Sequence, residues 1–261
     1  MFKQFIAFIF LLTFVSLQNT FSQNIKLVNG KWFNGKDFSR QTVWVHKGNL
    51  SFNSKTTKST KTLDLKGKYV IPPFGEAHNH NLESSYKIEK VITRYLSNGV
   101  FYVKLQSSIK KRISPLMKNY NHPKGIDVSQ AFAPLTGTDG HPVGVRKFYL
   151  EKGYFKGLFN TLEEIESHGY FTVDSRQVLD EKWKTVLSFK PDFIKVMLLY
   201  SEEYEKRKND KSYFGKKGLN PELLPSIVKK AHAENLRVSA HVATPTDFEN
   251  AILSGVDEIS H

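Results

Sequence analysis

Residues 70–80 read V-I-P-P-F-G-E-A-H-N-H, an apolar run interrupted by two prolines and a glycine and closed by two histidines one residue apart. A strand sends alternate side chains to one face, so His78 and His80 point the same way, with α-carbons roughly 7 Å apart. Imidazoles so placed are able to converge on a metal ion, and equally able to sit as polar residues at the mouth of a loop. An H-x-H pair alone does not decide between these readings. The segments on either side of it do.

On the N-terminal side the signals are for short strands. I-K-L-V-N-G-K-W-F (25–33) holds Asn29-Gly30, a hairpin dipeptide between two apolar runs. T-V-W-V-H-K-G-N-L-S-F (42–52) repeats the pattern with Gly48-Asn49 at the turn, and T-L-D-L-K-G-K-Y-V (62–70) reads as a further strand pair. This predicts a small, sandwich-like β-domain over residues 23–70, with His46 an exposed strand residue. The first 22 residues read as a secretory leader: M-F-K-Q carries a positive charge, and residues 5–17 (F-I-A-F-I-F-L-L-T-F-V-S-L) form an apolar stretch. That stretch falls short of the ~20 residues a spanning helix needs. Thr20 and Ser22 supply small side chains ahead of a cleavage site at Gln23. The expectation is an exported protein, periplasmic or extracellular, with no stable membrane anchor after cleavage.

On the C-terminal side the rhythm becomes strand, helix, strand. Strands are predicted at 69–74, 100–105, 126–135, 192–199, 236–243 and 256–261, with amphipathic helices at 84–99, 175–189, 220–236 and 244–255. Asn98-Gly99 ends the first of these helices, and Asn220-Pro221 opens the third with a cap and a first-turn proline. Repeated units of this length imply a parallel sheet with helices outside it.

Composition narrows the chemistry. There are no cysteines, so no disulfides or thiolate ligands, and any metal must be held by His or carboxylates. The net charge of +13 comes from 31 Lys against 7 Arg scattered along the chain. The densest lysine stretch, 55–68, lacks the interleaved aromatics that stack bases, so a solvated basic surface is expected and no nucleic-acid partner.

In parallel α/β folds, chemistry gathers at the C-terminal ends of strands. His78 and His80 follow the first predicted strand, His241 stands near the end of the fifth, and His261 ends the sixth. Lys195 sits inside D-F-I-K-V-M-L-L (192–199), where burial is costly unless the amine is paired or neutralised. Each has an ordinary alternative: a lysine snorkelling from an edge strand, or a hydrogen-bonded core histidine. The shared placement at one rim favours a site. His122, His168 and His232 stand in polar or helical surroundings and receive no role.

The set resembles the amidohydrolase superfamily, in its imidazolonepropionase-like branch. The matching pieces are the small β-domain, V-I-P-P-F-G-E-A-H-N-H, P-D-F-I-K-V (191–196), R-V-S-A-H (237–241) and D-E-I-S-H (257–261), in the family's order from about residue 24 onward. The resemblance implies a metal-dependent hydrolase with a TIM-type (β/α) barrel and one or two divalent ions, zinc in most members. It implies that His78 and His80 bind the first ion and His241 and His261 the second. Lys195, carboxylated by CO2, would bridge them as the catalytic lysine. Metal-activated hydroxide would attack the substrate carbonyl. L-T-G-T-D-G-H-P-V-G (135–144) resembles a substrate loop of this branch and makes His141 a substrate contact.

One departure stands out. The family carries an Asp at the end of its eighth strand, and only six strand units are counted between Tyr69 and His261. The expected α/β fold over residues 71–261 is therefore an incomplete barrel of about six of eight units, in a truncated chain. The expected function is hydrolysis of non-peptide carbon–nitrogen bonds in small molecules such as cyclic amides. Dipeptidase or lactonase specificity remains an alternative, as does a catalytically inactive remnant lacking the Asp. An oligomer is left open.

Overall fold

A computed structural model describes residues 24–53, 59 and 61–261; the leader reading for residues 1–22 lies outside them. The chain separates into two compact units that meet between Pro72 and Pro73. Among the described residues no helix is long and apolar enough to cross a membrane.

The first unit is one sheet of five strands: β1 (Ile25–Phe33), β2 (Phe38–His46), β3 (Asn49–Ser51), β4 (Lys61–Asp64) and β5 (Tyr69–Val70). β2 runs antiparallel to β1, while β4 and β5 both pair with β1 in parallel. The expected β4–β5 strand pair and the sandwich-like second layer are therefore replaced, among the described residues, by successive pairing along one edge of β1. Asn29-Gly30 does not turn the chain either. Asn29 takes φ 57 inside β1 at a register shift, a bulge. A Cβ on Gly30 would lie 2.6 Å from Leu65 Cδ1, so the glycine permits a close approach rather than a hairpin. The β2–β3 turn is real but centred one residue earlier than expected, on Lys47 and Gly48, both at positive φ as a type I′ turn requires.

In the second unit every strand pairing is parallel. β6 (Phe74–Asn79), β7 (Val100–Leu105) and β8 (Asp127–Gln130) form a three-stranded sheet. A second sheet runs β10-β9-β11-β12-β13, with β9 at Leu135–Thr136, β10 at Phe171–Thr172, β11 at Phe193–Met197, β12 at Arg237–His241 and β13 at Glu258–Ile259. Five helices of nine residues or more punctuate the strands: α1 (Ile88–Ser97), α2 (Val143–Glu151), α3 (Arg176–Ser188), α4 (Leu224–Ala233) and α5 (Pro245–Leu253).

Three strand expectations are corrected. The first strand of this unit begins at Phe74, because the prolines at 72 and 73 offer no amide donors and Tyr69–Val70 belongs to the first sheet. The single strand expected at 126–135 is two, β8 and β9, in different sheets: Phe132 turns the chain with φ 58, and Pro134 cannot donate to a ladder. A strand missing from the expectation, β10, is two residues long, too short to carry a periodic pattern. No closed ring of strands exists among the described residues; two parallel sheets carry eight strands, β6 to β13, where six strand units are expected.

The main core lies between the five-stranded sheet and α3, α4 and α5. Leu179, Trp183 and Val186 from α3, Leu224, Ile227, Val228 and Ala231 from α4, and Ala251 from α5 pack on Ile194, Val196, Val238 and Ala240. Each fully buried aliphatic side chain contributes about 1.5–3 kcal/mol. A second cluster packs Ile88 and Ile92 of α1 on Val103, Leu105 and Val128. The helix ends are fixed by their sequences: Ser175 accepts from the Val178 amide, and Thr244 with Asp247 forms a capping box.

Candidate active site

Period-two alternation decides which residues leave the core. On β11, Ile194 and Val196 face the helices, so Lys195 projects from the other face. On β12, Val238 and Ala240 are core, leaving Ser239 and His241 opposite; on β13, Ile259 is core and Glu258 and Ser260 flank it. On β6, Asn79 is buried and bonds to Glu76 Oε2 at 2.8 Å and to the Tyr95 hydroxyl at 2.6 Å. That anchor turns His78 and His80 to the opposite face, as H-x-H spacing on a strand requires.

The result is a cavity of about 520 Å3 whose lining includes His78, His80, His141, Lys195, His241 and His261. The imidazoles form a row. His80 Nδ1 lies 2.5 Å from Glu83 Oε1, and His80 Nε2 lies 3.1 Å from His78 Nε2. His78 Nδ1 is 3.0 Å from His261 Nδ1, and His261 Nε2 is 2.5 Å from His241 Nδ1. A neutral imidazole offers one donor and one acceptor, so the row is satisfied with all four rings uncharged and the Glu83 carboxylate accepting at its end. His141 stacks on His241 with centroids 5.0 Å apart.

Electrostatics agrees with uncharged rings. Burial, then the neighbouring cationic groups, pushes His78 and His141 down to about 4 and His241 to about 3. Burial also lowers His261. Lys195, 2% exposed, falls to about 7 because its ammonium is desolvated; Glu258 opposes the shift and Lys104 adds to it. The Lys195 amine donates to Ser260 Oγ.

A polar layer beneath the rim ties the two sheets together. Gln106 is buried; its Nε2 donates to Glu258 Oε1 and to the Ala77 carbonyl, both at 2.9 Å, and its Oε1 accepts from Ser239 at 2.9 Å. Ser239 in turn meets Ser260 at 2.9 Å. Glu258 also takes Lys104. Burial alone would raise the Glu258 carboxyl, but hydrogen bonds from Lys104 and Gln106 hold it below the usual carboxylate range. This layer fixes the strand ends without filling the cavity.

His141 is set by its glycine-rich loop. A Cβ on Gly140 would lie 2.4 Å from Thr136 Oγ1, and one on Gly137 would lie 2.5 Å from the Gly218 carbonyl. The His141 amide bonds the Lys217 carbonyl at 2.8 Å. His241 is set from beyond its strand: Asp247, fully buried, accepts from the amides of Tyr200, Ser201, Ala243 and Thr244 at 2.8–3.1 Å and from the Ser201 hydroxyl.

The remaining histidines lie elsewhere: His46 on Asn24, His168 between Phe159 and Phe189, and His232 on Asp257. His122 is exposed, with Nδ1 accepting from the Lys124 amide. Sequence reasoning missed Glu83, Gln106, Ser107 and Arg146. Gln106 and Ser107 were findable as the polar pair closing the strand V-F-Y-V-K-L. Glu83 and Arg146 carry no local signal.

Does the cluster suit a divalent cation? In donor chemistry it does, with uncharged imidazoles and a carboxylate that fixes the tautomer of one of them. Tetrahedral ligation at 2.0–2.1 Å sets ligand nitrogens about 3.3 Å apart. The His78–His80 and His78–His261 contacts at 3.1 and 3.0 Å stand a few tenths of an ångström inside that. Among the described residues no group of three or more His or carboxylates is arranged to hold a metal ion. The side chains pair with one another instead.

No family model and no curated protein matches the sequence. Solved structures do. A prolidase complexed with N-methylphosphonate-L-proline is 16% identical with a TM-score of 0.64, covering 91% of this chain and 60% of that one. A Xaa-Pro dipeptidase with methionine in its active site is 16% identical at 0.63, covering 91% and 61%. The A. niger ochratoxinase is 16% identical at 0.61, covering 91% and 60%. The chain thus spans about three-fifths of the length of the structures it matches. What these likenesses establish is that the chain has the α/β fold of the amidohydrolases.

Proposed function

We propose that this chain carries the metal site of an exported amidohydrolase whose two parallel sheets are part of a TIM-type barrel. The carrying observation is that His78, His80, Lys195, His241 and His261 line one cavity although they come from four different strand ends. His78 and His80 would hold one divalent ion and His241 and His261 a second, zinc being the metal the nitrogen donors suit. Such an ion supplies Lewis acidity: it polarises a carbonyl and acidifies water.

The chain's own residues do the rest. Glu83 orients His80 through Nδ1, which turns Nε2 toward His78 in the row of imidazoles. With its ammonium pushed down to about 7, Lys195 is substantially a free amine at neutral pH. A free amine adds to CO2: the N–C bond forms, one proton leaves to solvent, and the product is a carbamate anion. That converts a buried cation, which repels metals, into an oxygen ligand. His141, stacked on His241, would donate to a substrate carbonyl.

The substrate reading is hydrolysis of amide-type carbon–nitrogen bonds in small molecules, cyclic amides among them. A dipeptidase reading is favoured by the prolidase and Xaa-Pro dipeptidase structures that share the fold. The test is the full chain, supplied with zinc and bicarbonate, on a panel of cyclic amides, dipeptides, N-acyl amino acids and lactones. The proposal expects amide hydrolysis that EDTA abolishes and Lys195→Met removes. No turnover of any amide by metal-loaded protein would overturn it.

A further inference from the structure

Arg146, on α2, is 5% exposed and lines the same cavity as the imidazoles. A buried guanidinium is expected to meet a carboxylate, because desolvating its charge is costly unless it is paired. Here it does not. Among the described residues its side chain makes one hydrogen bond, from Nη2 to Ser107 Oγ at 2.7 Å, and no carboxylate comes within 4 Å. Its buried Nε has no partner at all. A guanidinium carries five N–H donors, so most of this one's capacity is unspent.

The surrounding charges do not neutralise it: the Glu83 carboxylate favours the guanidinium from beyond pairing distance, and Arg112 opposes it. Arg112 lines the same cavity, and the one carboxylate in the lining, Glu83, is engaged by His80. Apolar and aromatic walls from Val145, Phe148, Tyr149 and Tyr154 complete this end of the cavity.

The geometry points to Arg146 as a carboxylate-binding subsite: the cavity selects substrates that carry a free carboxylate one side of the bond to be broken and an apolar group beside it. A planar fork accepts a carboxylate in two parallel hydrogen bonds, which an ammonium does not reproduce. The inference deepens the hydrolase reading and rests on it only for the reacting bond beside the imidazoles; the anion contact stands without turnover.

The test is binding to the EDTA-stripped full chain, which removes any metal as a competing anion receptor. The probes are N-benzoyl-L-leucine and its carboxamide, titrated calorimetrically. The acid should bind at least about tenfold more tightly, about 1.4 kcal/mol. Arg146→Gln should reduce the preference to within about twofold, and Arg146→Lys should restore only part of it. Equal binding of acid and amide to the native chain, or an undiminished preference in a folded Arg146→Gln protein, overturns the subsite. Should that variant fail to fold, phenylglyoxal labelling of Arg146 in the native chain, mapped by mass spectrometry, decides. Protection by the acid and not the amide supports the subsite, and equal protection overturns it. Acid preference without turnover would sink the hydrolase reading and leave this one; turnover without acid preference would do the reverse.

Discussion

The two units of this chain spend their apolar residues differently. In the N-terminal unit, Phe38, Leu50, Phe52, Leu63 and Tyr69 remain 43–62% exposed, and among the described residues the buried apolar side chains are Trp32 and Val43. In the second unit, all five residues of β11 are buried, and one core cluster runs from α3 through the sheet to α5. A strand buried on both faces forces a choice at each polar position: find a partner or face a cavity. That is why Lys195, Ser239 and Glu258 are networked within the core, while polar contacts of the first sheet, such as Asn29 with Asp64, lie at exposed positions. A site needing desolvated groups at fixed distances is built where the core is dense.

Substitutions can break this contrast. The largest effect is expected at Asp247, whose carboxylate accepts from four amides and a hydroxyl. Asp247→Ala orphans those donors and should cost about 3–5 kcal/mol in denaturant unfolding. Leu224→Ala, at a fully buried position of α4, should cost about 3 kcal/mol through the cavity it leaves. Leu50→Ala, 54% exposed in the N-terminal sheet, should cost under about 1 kcal/mol. Similar losses at Leu224 and Leu50 would contradict the contrast.

A pH series sharpens it. Burial holds His78 and His141 at about 4 and His241 at about 3, against 6.5 in an unfolded chain. The unfolded state therefore takes up protons first as pH falls, so their contribution is complete above pH 6.5 and is lost toward pH 4. The metal-free protein should show falling unfolding midpoints across that window, with a shallower fall in His241→Gln. A similarly small effect is expected in the first sheet: Gly48→Ala, at φ 80 in the β2–β3 turn, should cost about 1 kcal/mol.

Much of this was legible in the sequence. The cap at Asn220, whose side chain accepts from the Glu222 amide, and histidines at strand ends follow from local chemistry that tertiary context had no reason to override. Asn29-Gly30 was misleading because the positive φ that favours a type I′ turn serves a bulge equally well. The break between β8 and β9 lay hidden because residues 126–135 alternate apolar and polar and then run on through apolar residues to Leu135, with no turn dipeptide to mark the change of sheet. β10 exists only through its pairing with β9. Glu83 and Arg146 matter because of what folding brings beside them, and nothing adjacent in sequence reports that.

The central proposal is that the imidazoles of His78, His80, His241 and His261 hold divalent cations in one cavity. Zinc content of the stripped and reloaded full chain, set beside a His78→Ala/His241→Ala double variant, tests it most directly. The account predicts about one to two zinc ions retained per native chain and almost none by the folded variant. Equal zinc in both would contradict it.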